Sequence, residues 1–459
     1  MMSLHEAASA IGAGVRGKDV IFESVSTDSR TLARNALFVA LRGERFDAHR
    51  FVGAARERGA AAAMVDEDSG PGIEDQQLPF IVVDNTRLAL GRLAAQWRAR
   101  FEIPLIVVTG SNGKTTVKEM IAAILRAHLG EARVLATEGN LNNDVGLPLT
   151  LLALRKEHAA AVIELGMNHP GETAHLAAIA APSVALVNNA QREHQEFMGS
   201  VAEVAHEHAA VFRALKRGGI AVINADDECA GYWRGLLAGT PVRDFGIDRP
   251  AQVTGRFAAR DFGSEIDLQA PEGTARIALK VDGRHNVLNA LAATACALAA
   301  GADLDAVERG LNGFRAVGGR TQRRTLSSGA SLIDDSYNAN PDSLRAAIDV
   351  LAAFPGPRLL VLGDMGEVGA RGTEFHEEIG KYARERGVDR LYAIGDLSRS
   401  AVRKFGRDAR HFTDIAGLIA AVQGDLRPQA TVLVKGSRFM RMERVVQALN
   451  GEPVAGKGH

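Results

Sequence analysis

At 459 residues the chain is too long for a single core, so two to four domains are expected. Its 46% apolar and 24% charged residues are the mix of a globular protein, and a net charge of −1 leaves no basic field to hold nucleic acid or an anionic membrane. Cys229 and Cys296 offer no disulfide framework, residues 1–18 do not read as a signal peptide, and no apolar run is long enough to insert in a bilayer, so a cytoplasmic protein is expected.

Residues 1–84 read as a small α/β unit, with strands at 36–41, 61–65 and 80–83 and a helix at 51–58. Two polar clusters interrupt it, Ser26-Thr27-Asp28-Ser29-Arg30 and Asp47-Ala48-His49. Each is either a turn or part of an anion site with Arg30 on phosphate. A connecting helix is expected at 87–100.

Residues 85–314 alternate strands, at 105–109, 133–136, 161–164, 184–188 and 220–224, with helical stretches. That alternation argues for a parallel sheet covered on both faces, with ligands beyond the carboxyl ends of its strands. Four polar clusters fall at those ends: the loop at 110–116, Thr137 with Asn140 and Asn142, Glu164, and the stretch 188–194. The first carries the strongest signal. The run Leu105-Ile106-Val107-Val108-Thr109 breaks into Gly110-Ser111-Asn112-Gly113-Lys114-Thr115-Thr116, and a helix follows over 117–129. A glycine loop between strand and helix aims backbone N–H groups at phosphate. Lys114 can reach β/γ-phosphates and the Thr115 hydroxyl can ligate Mg²⁺. Val108 stands where the full Walker A pattern needs glycine, so the match is the shorter T-G-S-N-G-K-T.

The other residues are individually weaker. Glu164 is a strand-end carboxylate suited to Mg²⁺, or simply a solvated strand end. His194 is either structural or a ligand. His285 and Asn289 share a helix face, for base recognition or for packing between domains, and Asn286 reads as a possible cap. Residues 251–282 read as a β meander, with helices at 285–300 and 303–311. From 315 onward, strands at 331–334, 359–362, 390–394 and 431–434 alternate with helices at 343–354, 375–386, 415–423 and 439–449, a second doubly wound pattern. Asp334 and Asp335 can hold ribose hydroxyls or form a capped turn. Lys435-Gly436-Ser437-Arg438 opens the last helix, another place for an anion. The tail 451–459 is expected to fray.

In their order along the chain these motifs resemble those of the Mur ligases, the ATP-dependent amide-forming enzymes of peptidoglycan assembly. They are T-G-S-N-G-K-T (109–115), E-G-N-L-N-N-D-V-G-L-P (138–148), E-L-G-M-N-H-P-G-E (164–172), G-R-H-N-V-L-N (283–289), G-R (319–320) and D-D-S-Y-N-A-N-P (334–341). The resemblance covers essentially the whole chain. The last of these motifs, with V-L-G-D-M-G-E (361–367), V-K-G-S-R (434–438) and T-D-S-R (27–30), looks like the members that join D-alanyl-D-alanine to UDP-N-acetylmuramoyl-tripeptide. Other Mur ligases and folylpolyglutamate synthase share the central loop but differ in these words. A GTP switch would want an N-K-x-D motif, and none occurs.

The resemblance implies an α/β protein of three domains: a small N-terminal α/β domain (1–84) for the UDP-sugar, a central P-loop parallel-sheet ATPase domain (85–314), and a C-terminal Rossmann-like domain (315–459) that closes over ATP about a hinge near Gly318 and Gly319. ATP and Mg²⁺ are the implied cofactors. The two small-molecule substrates are the implied partners, with the chain acting as a monomer. Gly110, Ser111, Asn112, Gly113, Lys114, Thr115 and Thr116 then cradle phosphates, and Thr115, Glu164 and His194 ligate Mg²⁺. Asn286 and Asn289 fall where the family contacts adenine, Arg320 where an arginine reaches the γ-phosphate, and Asp335 where a carboxylate meets ribose. Ser29, Arg30 and His49 fall in the uridine-nucleotide region, and Thr137, Asn142, Asn338, Asn340 and Lys435 on the remaining substrate surface. Lys114, Arg320, Glu164 and His194 are the implied catalytic set. There are two departures. Asp47-Ala48-His49 replaces the usual D-G-H. His208 stands where the family commonly has a carbamylated lysine, so His208, Glu207 or water is expected to take that lysine's place.

Overall fold

The computed structural model describes residues 1–43, 46–68 and 77–452; the end of the expected frayed tail, 453–459, lies outside them. The chain forms three principal sheets. The middle one has nine strands in the order Val134–Ala136, Ala160–Glu164, Leu105–Thr109, Val184–Val187, Ile220–Asn224, Val242–Gly246, Val253–Ala259, Ser264–Ala270 and Gly273–Leu279. The first seven pair in parallel and the last two antiparallel, which is the expected meander.

Strand alternation explains why this sheet is covered twice. Leu105 and Val107 face one core with Leu90, Leu93, Leu147 and Leu176. Ile106 and Val108 face another with Val117, Ile121, Ile124, Val287 and Leu291. Helices Thr86–Arg98, Gly146–Leu152 and Glu172–Ala180 supply the first, and Lys114–Leu129, Arg284–Ala299 and Leu304–Gly313 the second. Val108, which breaks the Walker pattern, is fully buried in the second core. A glycine there would open a void under the loop helix.

The N-terminal sheet orders Gly14–Arg16, Phe80–Val83, Ala62–Asp66, Ala36–Val39 and Ser24–Ser26, antiparallel only at its first pair. The expected connecting helix joins rather than spaces: Ala89, Leu90, Leu93 and Ala94 belong to one cluster with Leu4, Met64 and Val83 on one side and Leu105 and Leu147 on the other. The C-terminal sheet orders Gln322–Thr325, Ser331–Asp335, Thr431–Lys435, Arg358–Gly363, Arg390–Ile394 and Ala409–Phe412, parallel after its first pair.

Several element limits differ from expectation. The expected helix at 51–58 is a 3₁₀ turn at Ala48–Phe51, capped by Asp47, leading into Val52–Glu57. The expected last helix at 439–449 begins only at Glu443, because Arg441 sits at φ 49° and ends the 3₁₀ turn Arg438–Met440. Helix Ser398–Phe405 is not legible in the sequence, because its buried face is built from Ser398, Ser400, Ala401 and Phe405 rather than from large aliphatics. Among the described residues, no helix is long and apolar enough to cross a membrane.

Candidate active site

The loop after strand Leu105–Thr109 is held in shape by the chain itself. Gly110 at φ +130° and Gly113 at φ +84° make turns that other residues rarely adopt. The end of the neighbouring strand then pins the loop. Ser111 N–H donates to the Asn189 carbonyl (3.1 Å), Asn112 N–H to Asn189 Oδ1 (2.8 Å), and Asn188 Nδ2 to the Asn112 carbonyl (2.8 Å). Gln191 N–H donates to Ser111 Oγ (2.8 Å). An anion meeting the N-terminus of helix Lys114–Leu129 therefore finds donors already oriented.

Lys114 folds back over its own loop, with Nζ donating to the carbonyls of Gly110 (2.5 Å) and Ser111 (3.2 Å) and to Glu193 Oε2 (3.5 Å). Glu193 was not among the expected residues, although it directly precedes His194. Its carboxylate is buried; His208 Nε2 lies 2.7 Å from Oε1, and His194 Nε2 lies 3.7 Å from Oε2. Burial pushes its pKa up, but the Lys114 charge, the His208 hydrogen bond and the neighbouring imidazoles outweigh that and hold it well below the usual carboxylate range.

Of the three expected stand-ins for the missing lysine, His208, Glu207 and water, the two side chains are already engaged elsewhere. Both ring nitrogens of His208 are engaged, Nε2 with Glu193 and Nδ1 with Thr109 Oγ1 (2.9 Å). Glu207 points away, its two oxygens accepting from Gly171 N–H and Thr173 N–H (2.9 Å each) at the start of helix Glu172–Ala180. Neither side chain is free to take a metal.

Glu164 ends its strand with Oε1 accepting from Asn142 Nδ2 (2.8 Å) and with Oε2 buried and unpartnered. An orphaned buried carboxylate oxygen at the mouth of a phosphate loop fits Mg²⁺, which takes few protein ligands and completes its shell with phosphate oxygens and water. Among the described residues, no three His, Cys, Asp or Glu side chains gather as a metal cluster. Thr115 is buried at the first turn of the loop helix, while the His194 ring reaches across to the third sheet, Nδ1 lying 2.7 Å from Glu367 Oε2. His194 and Glu367 both have left-handed backbones, φ 47° and 57°. The two strained residues face each other where the second and third sheets meet.

Thr137 corrects an expectation. It is buried, its hydroxyl accepting from Glu164 N–H (3.0 Å) and its carbonyl from the buried Lys118 ammonium (2.7 Å), so it braces Glu164 rather than facing substrate. Asn286 and Asn289 likewise turn inward. Asn286 Nδ2 donates to the Asp282 carbonyl (2.8 Å), Asn289 Nδ2 to Asn286 Oδ1 (3.2 Å) and Asn188 Nδ2 to Asn289 Oδ1 (3.1 Å). That chain supports Gly113 from behind. Asp335 is occupied by Lys435 Nζ (2.5 Å) and Thr321 N–H (2.9 Å), and Lys435 also donates to the Asn338 carbonyl (2.8 Å). Both side chains serve to tie the end of strand Ser331–Asp335 to the turn that follows it.

The third sheet meets the loop through Asn340, the cap of helix Pro341–Ala352, whose Nδ2 donates to Asn112 Oδ1 (2.9 Å). Beside it Arg192 reaches Asp342 Oδ1 (2.6 Å) and Glu378 Oε2 (2.6 Å), and Arg345 shares Glu378 (3.0 Å). Hydrogen bonds to charged groups are worth about 1.5–3 kcal/mol each. Arg192→Ala is therefore expected to loosen the third unit, read as faster proteolysis between 314 and 320 and a larger scattering radius; an unchanged radius and cleavage rate would show that other contacts suffice. Arg320 pairs with no carboxylate among the described residues; its guanidinium lies 4.2 Å from the Tyr337 ring centre, and that of Arg438 5.6 Å.

In the N-terminal unit His49 is buried, with Nδ1 on Asp47 (2.6 Å) and Nε2 accepting from Asp66 N–H (3.0 Å). Both nitrogens are spent, so its expected contact with substrate is replaced by a structural one. Arg30 is exposed and paired with Asp28 (2.8 Å), which lowers the Asp28 pKa to about 2. Ser29 beside it is half-buried. A cleft of about 420 Å³, lined by Arg42, Asp66, Asp84 and Arg87 among others, opens next to His49.

Three family descriptions match successive stretches: "Mur ligase family, catalytic domain" at 21–98, "Mur ligase middle domain" at 108–297 and "Mur ligase, glutamate ligase domain" at 319–438. The chain is 42% identical over 455 residues, 98% of each chain, to the UDP-N-acetylmuramoyl-tripeptide--D-alanyl-D-alanine ligase of Escherichia coli. Its fold is similar to that of MurF from Acinetobacter baumannii, with a TM-score of 0.90, 33% identity and 98% of each chain covered. It is also similar to the MurF ligase of Thermotoga maritima in complex with ADP, with a TM-score of 0.82, 26% identity, and 94% and 97% of the two chains covered.

Proposed function

The chain belongs to the Mur ligase family, and from that premise we propose that it joins D-alanyl-D-alanine to UDP-N-acetylmuramoyl-tripeptide at the expense of ATP. The observation that carries this is end-to-end similarity to enzymes of that activity combined with a glycine loop braced by the end of the neighbouring strand. In this reading the units are 1–84, 85–314 and 315–459, binding the sugar nucleotide, holding ATP and presenting the dipeptide, in a cytoplasmic monomer.

Two steps complete the reaction. A terminal carboxylate oxygen of the tripeptide attacks the γ-phosphorus; the bond to the bridging oxygen breaks and its electrons leave with ADP. The dipeptide amine then attacks the acyl-phosphate carbonyl, the C–O bond breaks, phosphate leaves and the ammonium proton passes to solvent. The protein's part is to position these groups and balance charge. Lys114 leaves its carbonyls for the phosphate oxygens. Arg320, unpaired by any carboxylate among the described residues, faces the developing charge. Thr115, Glu164 and His194 would hold Mg²⁺, which supplies positive charge to the same oxygens. Arg30 is the proposed contact of the sugar nucleotide's anionic end, with Asn142, Asn338 and Asn340 on the substrate surface.

The test is direct. With ATP and Mg²⁺, phosphate release should require both UDP-N-acetylmuramoyl-tripeptide and D-alanyl-D-alanine, and mass spectrometry should find the pentapeptide. Release that needs neither amine nor tripeptide, or that proceeds with glutamate in place of the dipeptide, overturns the assignment.

A further inference from the structure

We propose that Glu193 is a positioning residue of the phosphate loop, a fixed counter-charge that parks Lys114 between turnovers and aligns it during them, and that His208 is its anchor. This rests on the ligase reading only for the turnover half of the argument.

Four observations carry it. The carboxylate is buried, yet every partner is a side chain of the site: Lys114 and His194 at Oε2, His208 at Oε1. His208 is itself fully buried and fixed through Nδ1 to Thr109, the last residue of the strand that launches the loop. The line Thr109–His208–Glu193–Lys114 thus runs from the strand end to the tip of the loop lysine. Among the described residues no backbone N–H donates to the Glu193 carboxylate, so side chains, those of this line and His194, set its position.

The chemistry follows from charge. A buried carboxylate beside a phosphate site makes sense only if it is neutralised, here by Lys114. When a triphosphate enters, Lys114 must turn towards it, and Glu193 then repels the same anion unless cations stand between them. Glu193 therefore opposes nucleotide bound without metal and keeps Lys114 from settling too deeply on it. A residue that served only to support the loop would do neither.

Glu193→Gln keeps the shape and removes the charge. Metal-free ATP, titrated calorimetrically in EDTA with no acceptor substrate, should bind about tenfold more tightly, the size expected of one unit charge acting on another across roughly 10 Å of partly screened protein. Turnover with Mg²⁺ should fall ~10²-fold, the cost of a misaligned group. Tighter metal-free binding with slower turnover supports the proposal; unchanged or weaker metal-free binding overturns it whether or not the ligase reading stands. If Glu193→Gln does not fold, His208→Ala decides. It frees one carboxylate oxygen without removing the charge, so kcat should fall about tenfold, the value of a hydrogen bond to a charged group, with metal-free affinity unchanged. An unaltered kcat overturns the proposal.

Discussion

Lys114→Ala lowers kcat for pentapeptide formation by about 10²–10³-fold, the usual loss when one preorganised group facing developing charge is removed. Nζ is held by two loop carbonyls and one carboxylate. The two carbonyls are weak competitors for the ammonium once a triphosphate with several negative charges is in reach, and only the Glu193 carboxylate keeps drawing it back. The side chain is thus stored at the mouth of the loop in a place it can leave. Removing it has a second consequence. Glu193 loses its nearest cation and is left buried with only imidazoles around it, which costs stability as well as rate. Melting temperature must therefore be followed beside kcat. The expected pattern is a rate loss at saturating ATP in protein that is still folded at the assay temperature; full turnover by folded Lys114→Ala would remove the loop from the reaction.

The loop itself was legible because its chemistry is local. A buried strand, two glycines, a lysine and a helix follow one another within a dozen residues, and each dictates the conformation of the next. Glu164 was legible for the same reason, as a carboxylate at the end of an apolar run. Glu193 was not, since its meaning depends on Lys114, 79 residues earlier, and on His208 one helix later. Only its place beside His194 hinted at it. The inward turn of Asn286 and Asn289 is equally non-local: their helix starts beneath the loop, and Asn188 on a neighbouring strand claims Asn289 Oδ1. His49 shows the opposite failure. A lone histidine in a polar cluster looks available, yet two hydrogen bonds, one to Asp47 and one from Asp66, use both nitrogens. The seam between the second and third sheets, Arg192 to Asp342 and Glu378, has no sequence signal at all, because it pairs surfaces 150 and 186 residues apart.

Gly113→Ala abolishes nucleotide binding and destabilises the protein by about 2–6 kcal/mol, from two separate causes. The first is backbone strain. Gly113 stands at φ +84°, and a side chain there costs about 1–3 kcal/mol. The second is contact. An added Cβ would lie 2.5 Å from Asn289 Oδ1 and 2.8 Å from Asn188 Nδ2, the two atoms that hydrogen-bond to each other behind the loop. Overpacking of this kind costs about 1–3 kcal/mol. The contact falls on side chains rather than backbone, so it can be relieved. Asn289→Ala in the same chain removes the nearer atom, and the double variant should recover the share of the packing loss that falls on Asn289 while keeping the strain and the Asn188 contact. A double-mutant cycle in denaturant therefore separates the two: a coupling of about 1–3 kcal/mol is that packing share. Nucleotide affinity should stay low in the double variant, because the N–H groups of Gly113 and Lys114 are aimed by the backbone and not by Asn289. Restored binding on removal of Asn289 would mean that the asparagine pair, rather than the glycine turn, sets the geometry of the phosphate loop.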